Sequence, residues 1–219
     1  MNFNDHSNLR GRHAPFSPSA YYWLQDTEEE ALNRYCSSYA STVGTILHEL
    51  AKEYIDCSYK MTRFDKKQIP MRLLIRGVPP VVVERLSIEA IFENLMNYIN
   101  DAVEYRMKAE VPLYYSDNVF GTADTICFDE RERMLRIHDL KNGVTPAKID
   151  QLMIYNALFC LEYGHILKFR PEDITSELRI YQGGEIVYCN PKPDDVIMVM
   201  EQIKRIDDAM TRAEQEAVQ

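Results

Sequence analysis

The sequence predicts a mixed α/β fold with one central β-sheet flanked by helices. Apolar residues recur at helical spacing in long segments on both sides of the middle of the chain. Residues 111–140 instead contain short strand-like runs separated by polar turns, which is typical of a three-strand meander. Gly183-Gly184 separates two further strand-like runs and favours a hairpin. This order of elements is typical of a layered α/β domain.

The N-terminal half is predicted to be mainly helical. Residues 1–16 are expected to form a flexible arm, and Ser17-Pro18 favours the start of a short aromatic helix. The acidic run 26–30 is a solvated turn or a helix start. Longer helices are predicted at about 42–57 and 84–107. The segment between them, 60–82, is rich in basic residues and prolines and is predicted to be a loop, with one strand as an alternative.

The C-terminal half is predicted to contain the sheet. Strands are expected at 111–115, 119–128, 134–140, 177–182 and 185–189, with helices at 148–163 and 193–216. Gly164 favours the end of the first of these helices. Residues 17–219 are therefore predicted to form one domain, with a helical part at about 17–109, a sheet core at about 110–190 and a C-terminal helix at about 193–216.

Composition excludes several classes of protein. The 219 residues are 46% hydrophobic and 27% charged, which is typical of a globular chain and excludes disordered and collagen-like classes. The net charge of −9 argues against a broad polyanion binder, although a local cleft field matters more for an enzyme. No apolar run is long enough to span a bilayer and no secretory signal is visible, so a cytoplasmic location is expected, in the host cell if the chain is phage-encoded.

The five cysteines are widely spaced and include no CxxC pair. Zinc and iron–sulfur sites use closely spaced cysteines, so reduced thiols are expected here.

A candidate chemical centre lies in the predicted meander. Asp139 and Lys141 are two apart on a strand, so their side chains are expected to share one face. Asp124 lies on the preceding strand, and the turn between the strands has the right length to bring both aspartates together. Neighbouring carboxylates repel unless a divalent cation lies between them, and oxygen ligands with room for water suit Mg²⁺ or Mn²⁺. Lysine beside such an ion can orient water and stabilise phosphate charge, so the set can hydrolyse a phosphodiester.

Two motifs flank this centre. Gly44-Thr45-Ile46-Leu47-His48-Glu49-Leu50 places a histidine on an upstream helix, and Gln151 and Tyr155 lie one helical turn apart after the lysine strand. With Asp124, Asp139 and Lys141, the ordered set resembles the PD-(D/E)xK nuclease superfamily in its RecB-like and phage-exonuclease branch. The resemblance spans residues 17 to about 182, and the opening 17–23 is similar to a phage-encoded group. The chain departs from the pattern in having aspartate at 139 and no proline before Asp124.

The resemblance implies a restriction-endonuclease-like core with an N-terminal helical elaboration. It also implies that Asp124, Asp139 and the Leu140 carbonyl ligate Mg²⁺ or Mn²⁺. His48 would ligate the metal or position a ligand, and an imidazole ligand favours Mn²⁺. Lys141 would activate or orient the attacking water.

Three further residues receive roles from the same resemblance. Gln151 and Tyr155 would support Lys141 or contact the DNA backbone, with simple helix packing as the alternative. Glu110 would be a metal ligand or a group behind the ligands. The Asp139–Lys141 pair has a surface salt bridge as its alternative. A zinc protease is excluded because HExxH needs histidine at 52, where the chain has lysine.

These patterns together predict a metal-dependent DNA nuclease, specifically a phage-type exonuclease acting in DNA processing or recombination. Two alternatives stay open: a catalytically inactive subunit that binds DNA or acts as a scaffold, and a structure-specific endonuclease. The expected partner is DNA, and no membrane partner is expected. A homo-oligomer and a single-strand-annealing or recombination partner protein also stay open.

Overall fold

A five-stranded mixed sheet forms the centre of the molecule, and the computed structural model describes residues 4–143 and 146–217. The strands lie side by side in chain order. They are β1 (Lys108–Ser116), β2 (Val119–Asp129), β3 (Met134–Lys141), β4 (Thr175–Gln182) and β5 (Glu185–Cys189). Neighbouring strands are antiparallel except β3 and β4, which are parallel. The predicted α/β class with a central sheet is therefore confirmed.

Helices flank the sheet. In the described residues they are α1 (Glu28–Ser37), α2 (Ala40–Asp56), α3 (Gln68–Ile75), α4 (Pro80–Glu84), α5 (Ile88–Glu104), α6 (Asp150–Leu167) and α7 (Pro193–Ala217). α2 to α5 form one apolar core that includes Leu140 and Tyr181 from the sheet. α6 and α7 form a second core with Leu135 and Ile137. The described part of the chain contains no helix long and apolar enough to cross a membrane.

The prediction of a loop or strand at 60–82 is wrong. A 3-10 turn at Arg63–Lys67 leads directly into α3, and α4 begins at Pro80. Pro70 falls in the first turn of α3, where a missing backbone N–H costs no helical hydrogen bond. Ile69 and Leu73, one turn apart on α3, are fully buried, so packing decides the conformation of this segment.

The single helix predicted at about 84–107 is also divided. α4 ends at Glu84 and α5 begins at Ile88, with Arg85, Leu86 and Ser87 between them. The short aromatic helix predicted after Ser17 is a 3-10 helix at Pro18–Gln25. The acidic run 26–30 does start a helix, because Thr27 accepts a hydrogen bond from the Glu30 N–H and Glu30 caps Thr27 in return.

The parallel pair β3 and β4 places one end of the sheet beside a cleft. Lys141 at the end of β3 lies opposite Gln182 at the end of β4, and α6 forms the crossover between the strands. The β4–β5 hairpin turns at Gly183 and Gly184, both with positive φ, as the sequence predicts. Ligand sites in sheets with parallel strands commonly lie outside the carboxyl ends of those strands.

Asn94 of α5 links the ends of β3 and β4 through its side-chain amide. Its buried amide donates hydrogen bonds of 3.1 Å to the carbonyls of Lys141 and Tyr181, on adjacent strands. Asn94→Ala leaves both carbonyls without this donor, so we expect the free energy of unfolding to fall by about 1–3 kcal/mol. Urea denaturation measures the loss. Asn97→Ala on the same helix is the control, and equal stabilities of the two variants would contradict the prediction.

Candidate functional site

Asp124 and Asp139 lie side by side on β2 and β3. Thr125 pairs with His138, so the next positions along each strand bring the two aspartates together on one face of the sheet. Asp124 Oδ2 accepts a hydrogen bond of 3.1 Å from the Leu140 N–H, which links the carboxylate directly to β3. Asp124 lies within β2.

Asp139 is almost fully buried, with 1% of the residue exposed. Burial, together with the negative charge of Asp124, raises the pKa of Asp139 to about 6, against the opposing effect of Lys141. Its Oδ2 lies 3.1 Å from Lys141 Nζ but makes no hydrogen bond to a described residue. Lys141 therefore offsets the cost of burying this carboxylate only in part, and a further cation would stabilise its charged form.

Lys141 is held between a carboxylate and an amide. Its ammonium donates hydrogen bonds of 3.1 Å to Asp139 Oδ1 and to Gln151 Oε1 on α6. Gln151 Nε2 in turn lies 3.4 Å from Tyr155 OH, so the i, i+4 pair on α6 does share one face. The chain of contacts positions the ammonium, and Lys141 still exposes 37% of its side chain.

Gly121 on β2 makes room for Tyr155. A Cβ added at Gly121 would lie 3.0 Å from Tyr155 Cε1, closer than ordinary carbon contacts. Gly121→Val is therefore expected to displace the Tyr155 ring and to disturb the Gln151–Lys141 contact behind it. We expect the rate of the predicted DNA cleavage to fall about tenfold, because displacing a group that positions Lys141 slows the reaction, and Tyr155→Phe is the comparison for loss of the hydroxyl alone. Wild-type rates in Gly121→Val would contradict this role of Gly121.

His48, on α2, lies next to the Asp124 carboxylate. Its Nδ1 lies 3.5 Å from Asp124 Oδ2, and about a third of its side chain is exposed. Leu47 and Leu50 beside it are buried, so packing of α2 orients the imidazole toward the sheet. The structure thus brings His48, Asp124, Asp139, Lys141 and the Leu140 backbone into one cluster.

Glu110 occupies a distorted position on β1. Its neighbours Ala109 and Val111 pair with Thr125 and Ala123, so Glu110 lies beside Asp124 along the sheet. Its φ of 51° is in the left-handed region, which is strained for glutamate. Its carboxylate Oε2 lies 3.4 Å from Lys52 Nζ. The Glu110 side chain therefore pairs with Lys52 on α2 and not with the two aspartates in the described residues.

The sequence analysis missed a polar layer on the other face of β3 and β4. Arg179 donates to Asp101 Oδ2 and lies 3.0 Å from Glu177, and Tyr181 OH also donates to Asp101. His138 and this arginine lower the pKa of Glu177 to about 2. Alternation of polar residues at 177, 179 and 181 was the available signal. These contacts attach β4, the neighbour of the strand that carries Asp139 and Lys141, to α5.

The adjacent carboxylates of Asp124 and Asp139 are the candidate ligands for a metal ion. Within 4–143 and 146–217, no group of three or more His, Cys, Asp or Glu side chains is arranged to hold a metal ion. Mg²⁺, however, keeps several waters and needs only one or two protein carboxylates. The adjacent carboxylates of Asp124 and the buried Asp139 meet that requirement, with Lys141 Nζ 3.1 Å from Asp139 Oδ2. An imidazole such as that of His48, 3.5 Å from Asp124 Oδ2, is a ligand type that Mn²⁺ also accepts. All five cysteines are free thiols outside this cluster.

Comparisons with known proteins assign no family to the chain. No protein-family model, curated protein or solved structure significantly matches the chain.

Proposed function

We propose that the protein is a metal-dependent nuclease that hydrolyses phosphodiester bonds in DNA. One observation carries this proposal: a lysine ammonium is held next to two adjacent carboxylates at the carboxyl end of a strand that borders an open cleft. A structural salt bridge between Lys141 and Asp139 would need no second carboxylate, yet Asp124 lies close enough that its charge adds to burial in raising the pKa of Asp139. The same residues carry the resemblance to PD-(D/E)xK nucleases, which supports the proposal independently of their geometry.

The residues have distinct tasks in this proposal. Asp124, Asp139 and the Leu140 carbonyl would hold Mg²⁺ or Mn²⁺, with His48 beside Asp124. Such an ion, when bound, activates water and stabilises the leaving oxygen. The Lys141 ammonium, which Asp139 and Gln151 hold in place, would orient that water and stabilise charge on the phosphate. Gln151 fixes the position of Lys141, and Tyr155 fixes Gln151.

A metal site would explain why the fold buries the Asp139 carboxylate, whose charge is unfavourable in the interior. Asp139 is buried beside the negative charge of Asp124, and Lys141 offsets the resulting cost only in part, so a bound metal ion would stabilise the arrangement. Perturbed carboxylates that adjoin a cleft are more frequent at catalytic sites than elsewhere. The finer proposal, a phage-type exonuclease acting in DNA processing or recombination in the cytoplasm, is supported by the resemblance in the motifs around His48, Lys141 and Gln151.

Degradation of labelled DNA tests the proposal directly. Linear duplex and linear single-stranded DNA, labelled at one end, are incubated with Mg²⁺ or Mn²⁺ and, in parallel, with EDTA. We expect cleavage that EDTA abolishes. Covalently closed circular DNA separates the two enzyme classes, because an exonuclease leaves it intact and an endonuclease cuts it. Metal and DNA binding without any cleavage would overturn the nuclease proposal and favour an inactive binding subunit.

A further inference from the structure

Two adjoining cavities meet at Lys141. One, called here the apolar cavity, has a volume of about 430 Å³ and lies between α2, α4, α5 and the end of β3. The other, called the polar cleft, has about 670 Å³ and extends toward the β4–β5 hairpin. Both volumes lie in the range of small-molecule sites. They share the following lining residues: Arg85, Leu86, Ile91, Lys141, Asn142 and Gly143.

The two cavities differ in chemistry. Val43, Val82, Leu86 and Leu140 line the apolar cavity together with His48. The polar cleft adds the polar groups of Ser87, Asn94 and Gln182 to a lining that also contains Ala90 and Val187. A flat apolar group therefore fits on one side of Lys141, and a polar chain fits on the other.

Gly44 keeps the apolar cavity open from the side of α2. It lines the cavity one helical turn before His48, and a Cβ added there would meet no atom within 4 Å. Glycine inside a helix costs about 1 kcal/mol relative to alanine. Neither a close backbone contact nor a positive φ accounts for glycine at this position. The open space beside Gly44 leaves room in the cavity for a ligand.

Polar donors border the opening between the cavities. Asn142 Nδ2 is buried and has no hydrogen-bond partner in the described part of the chain. Arg85 lines both cavities and is fixed by a hydrogen bond of 2.7 Å to Asn33 Oδ1. An occupant with flat apolar faces, acceptor atoms on its edge and an attached anion would satisfy all of these groups.

We infer that the apolar cavity binds the base of an unpaired nucleotide next to the phosphate that Lys141 faces. This inference rests on the proposed nuclease function and names its substrate as single-stranded DNA, or a duplex whose end is unpaired. A base has two apolar faces that favour such a surface and hydrogen-bonding edges that suit Asn142 and Arg85. A base in an intact duplex is stacked and cannot enter. The polar cleft then holds the continuing backbone.

Substitution at Gly44 tests the inference with a matched control. Gly44→Leu places a side chain in the apolar cavity, while Thr45→Leu adds one at an exposed position of the same helix outside both cavities. Binding of fluorescein-labelled single-stranded and blunt duplex oligonucleotides is followed by anisotropy in Ca²⁺. We expect Gly44→Leu to weaken single-strand binding about tenfold and to leave duplex binding unchanged. Thr45→Leu should bind both as the wild type does.

A second measurement keeps the inference independent of the folding of the variant. Wild-type protein should lose about tenfold in affinity for an oligonucleotide whose bases are replaced by abasic sites. Equal affinities for abasic and normal strands, equal loss of duplex and single-strand binding in Gly44→Leu, or no single-strand binding by the wild type would each overturn the inference. Base-dependent binding without metal-dependent cleavage would instead retain the base site and overturn the nuclease function.

Discussion

Asp124→Asn is expected to reduce metal-dependent DNA cleavage about a hundredfold to a thousandfold, with the fold intact. The substitution preserves size and hydrogen-bonding shape but removes the charge that lies beside Asp139 and His48. Loss of a single preorganised electrostatic contact costs two to three orders of magnitude in enzymes, on the order of 10²–10³. Lys141→Met should have a loss of similar size, since it removes the ammonium that would stabilise charge on the phosphate in the proposed reaction. Initial rates on end-labelled DNA measure both effects.

Glu132→Gln is the matched control for this loss. Glu132 lies on the exposed turn that joins β2 and β3, so the same carboxylate-to-amide change occurs far from the cluster. Its rate should equal that of the wild type. Full activity in Asp124→Asn or Lys141→Met would show that the cluster is not the catalytic site, and the nuclease proposal would then lack its structural basis.

Asp139→Asn is expected to stabilise the metal-free protein at pH 7.5 while abolishing cleavage. The pKa of Asp139 rises from 3.8 to about 6 in the fold, chiefly because the carboxyl is buried and secondarily because Asp124 is close. A raised carboxyl pKa means that the folded state favours the protonated form. Protonated Asp139 therefore stabilises the folded state; this stabilisation is complete below about pH 4 and is lost as pH rises through about 6. The amide avoids that loss, so unfolding should cost about 1–3 kcal/mol more in the variant.

Urea unfolding in EDTA from pH 4 to 8 measures this difference. The two proteins should be equally stable near pH 4, where Asp139 is protonated, and should diverge as pH rises. Mn²⁺ should stabilise the wild type at pH 7.5 and have a smaller effect on Asp139→Asn, since a ligand stabilises the state that binds it. A wild type more stable than Asp139→Asn in EDTA at pH 7.5 would contradict the prediction and favour a simple Asp139–Lys141 salt bridge.

Local patterns were sufficient to predict most of the sheet. The period of two at 134–140 and the Gly183-Gly184 turn predict β3 and the β4–β5 hairpin, because alternation and positive φ are properties of short segments. The same reasoning failed at 60–82. There Pro70 and the basic residues indicate a loop, but burial of Ile69 and Leu73 stabilises a helix that local propensity does not favour.

The candidate site divides in the same way. Spacing alone placed Asp139 and Lys141 on one face and Gln151 and Tyr155 on one side of a helix, and the structure has both arrangements. Spacing could not determine that Glu110 pairs with Lys52, because that contact depends on how α2 packs against β1. Arg85 and Asn142 belong to no recognisable motif, so the sequence could not predict that they line both cavities.

By itself, the sequence determined the α/β class, the antiparallel β2–β3 pair and the set of chemical groups on those strands and on α2 and α6. These follow from side-chain periodicity and turn residues, which act over a few positions of the chain. Only the tertiary structure decided how deeply Asp139 is buried, where Lys141 points and where the two cavities lie. Burial and the field at a carboxylate come from residues distant in the chain, and packing alone brings those residues together.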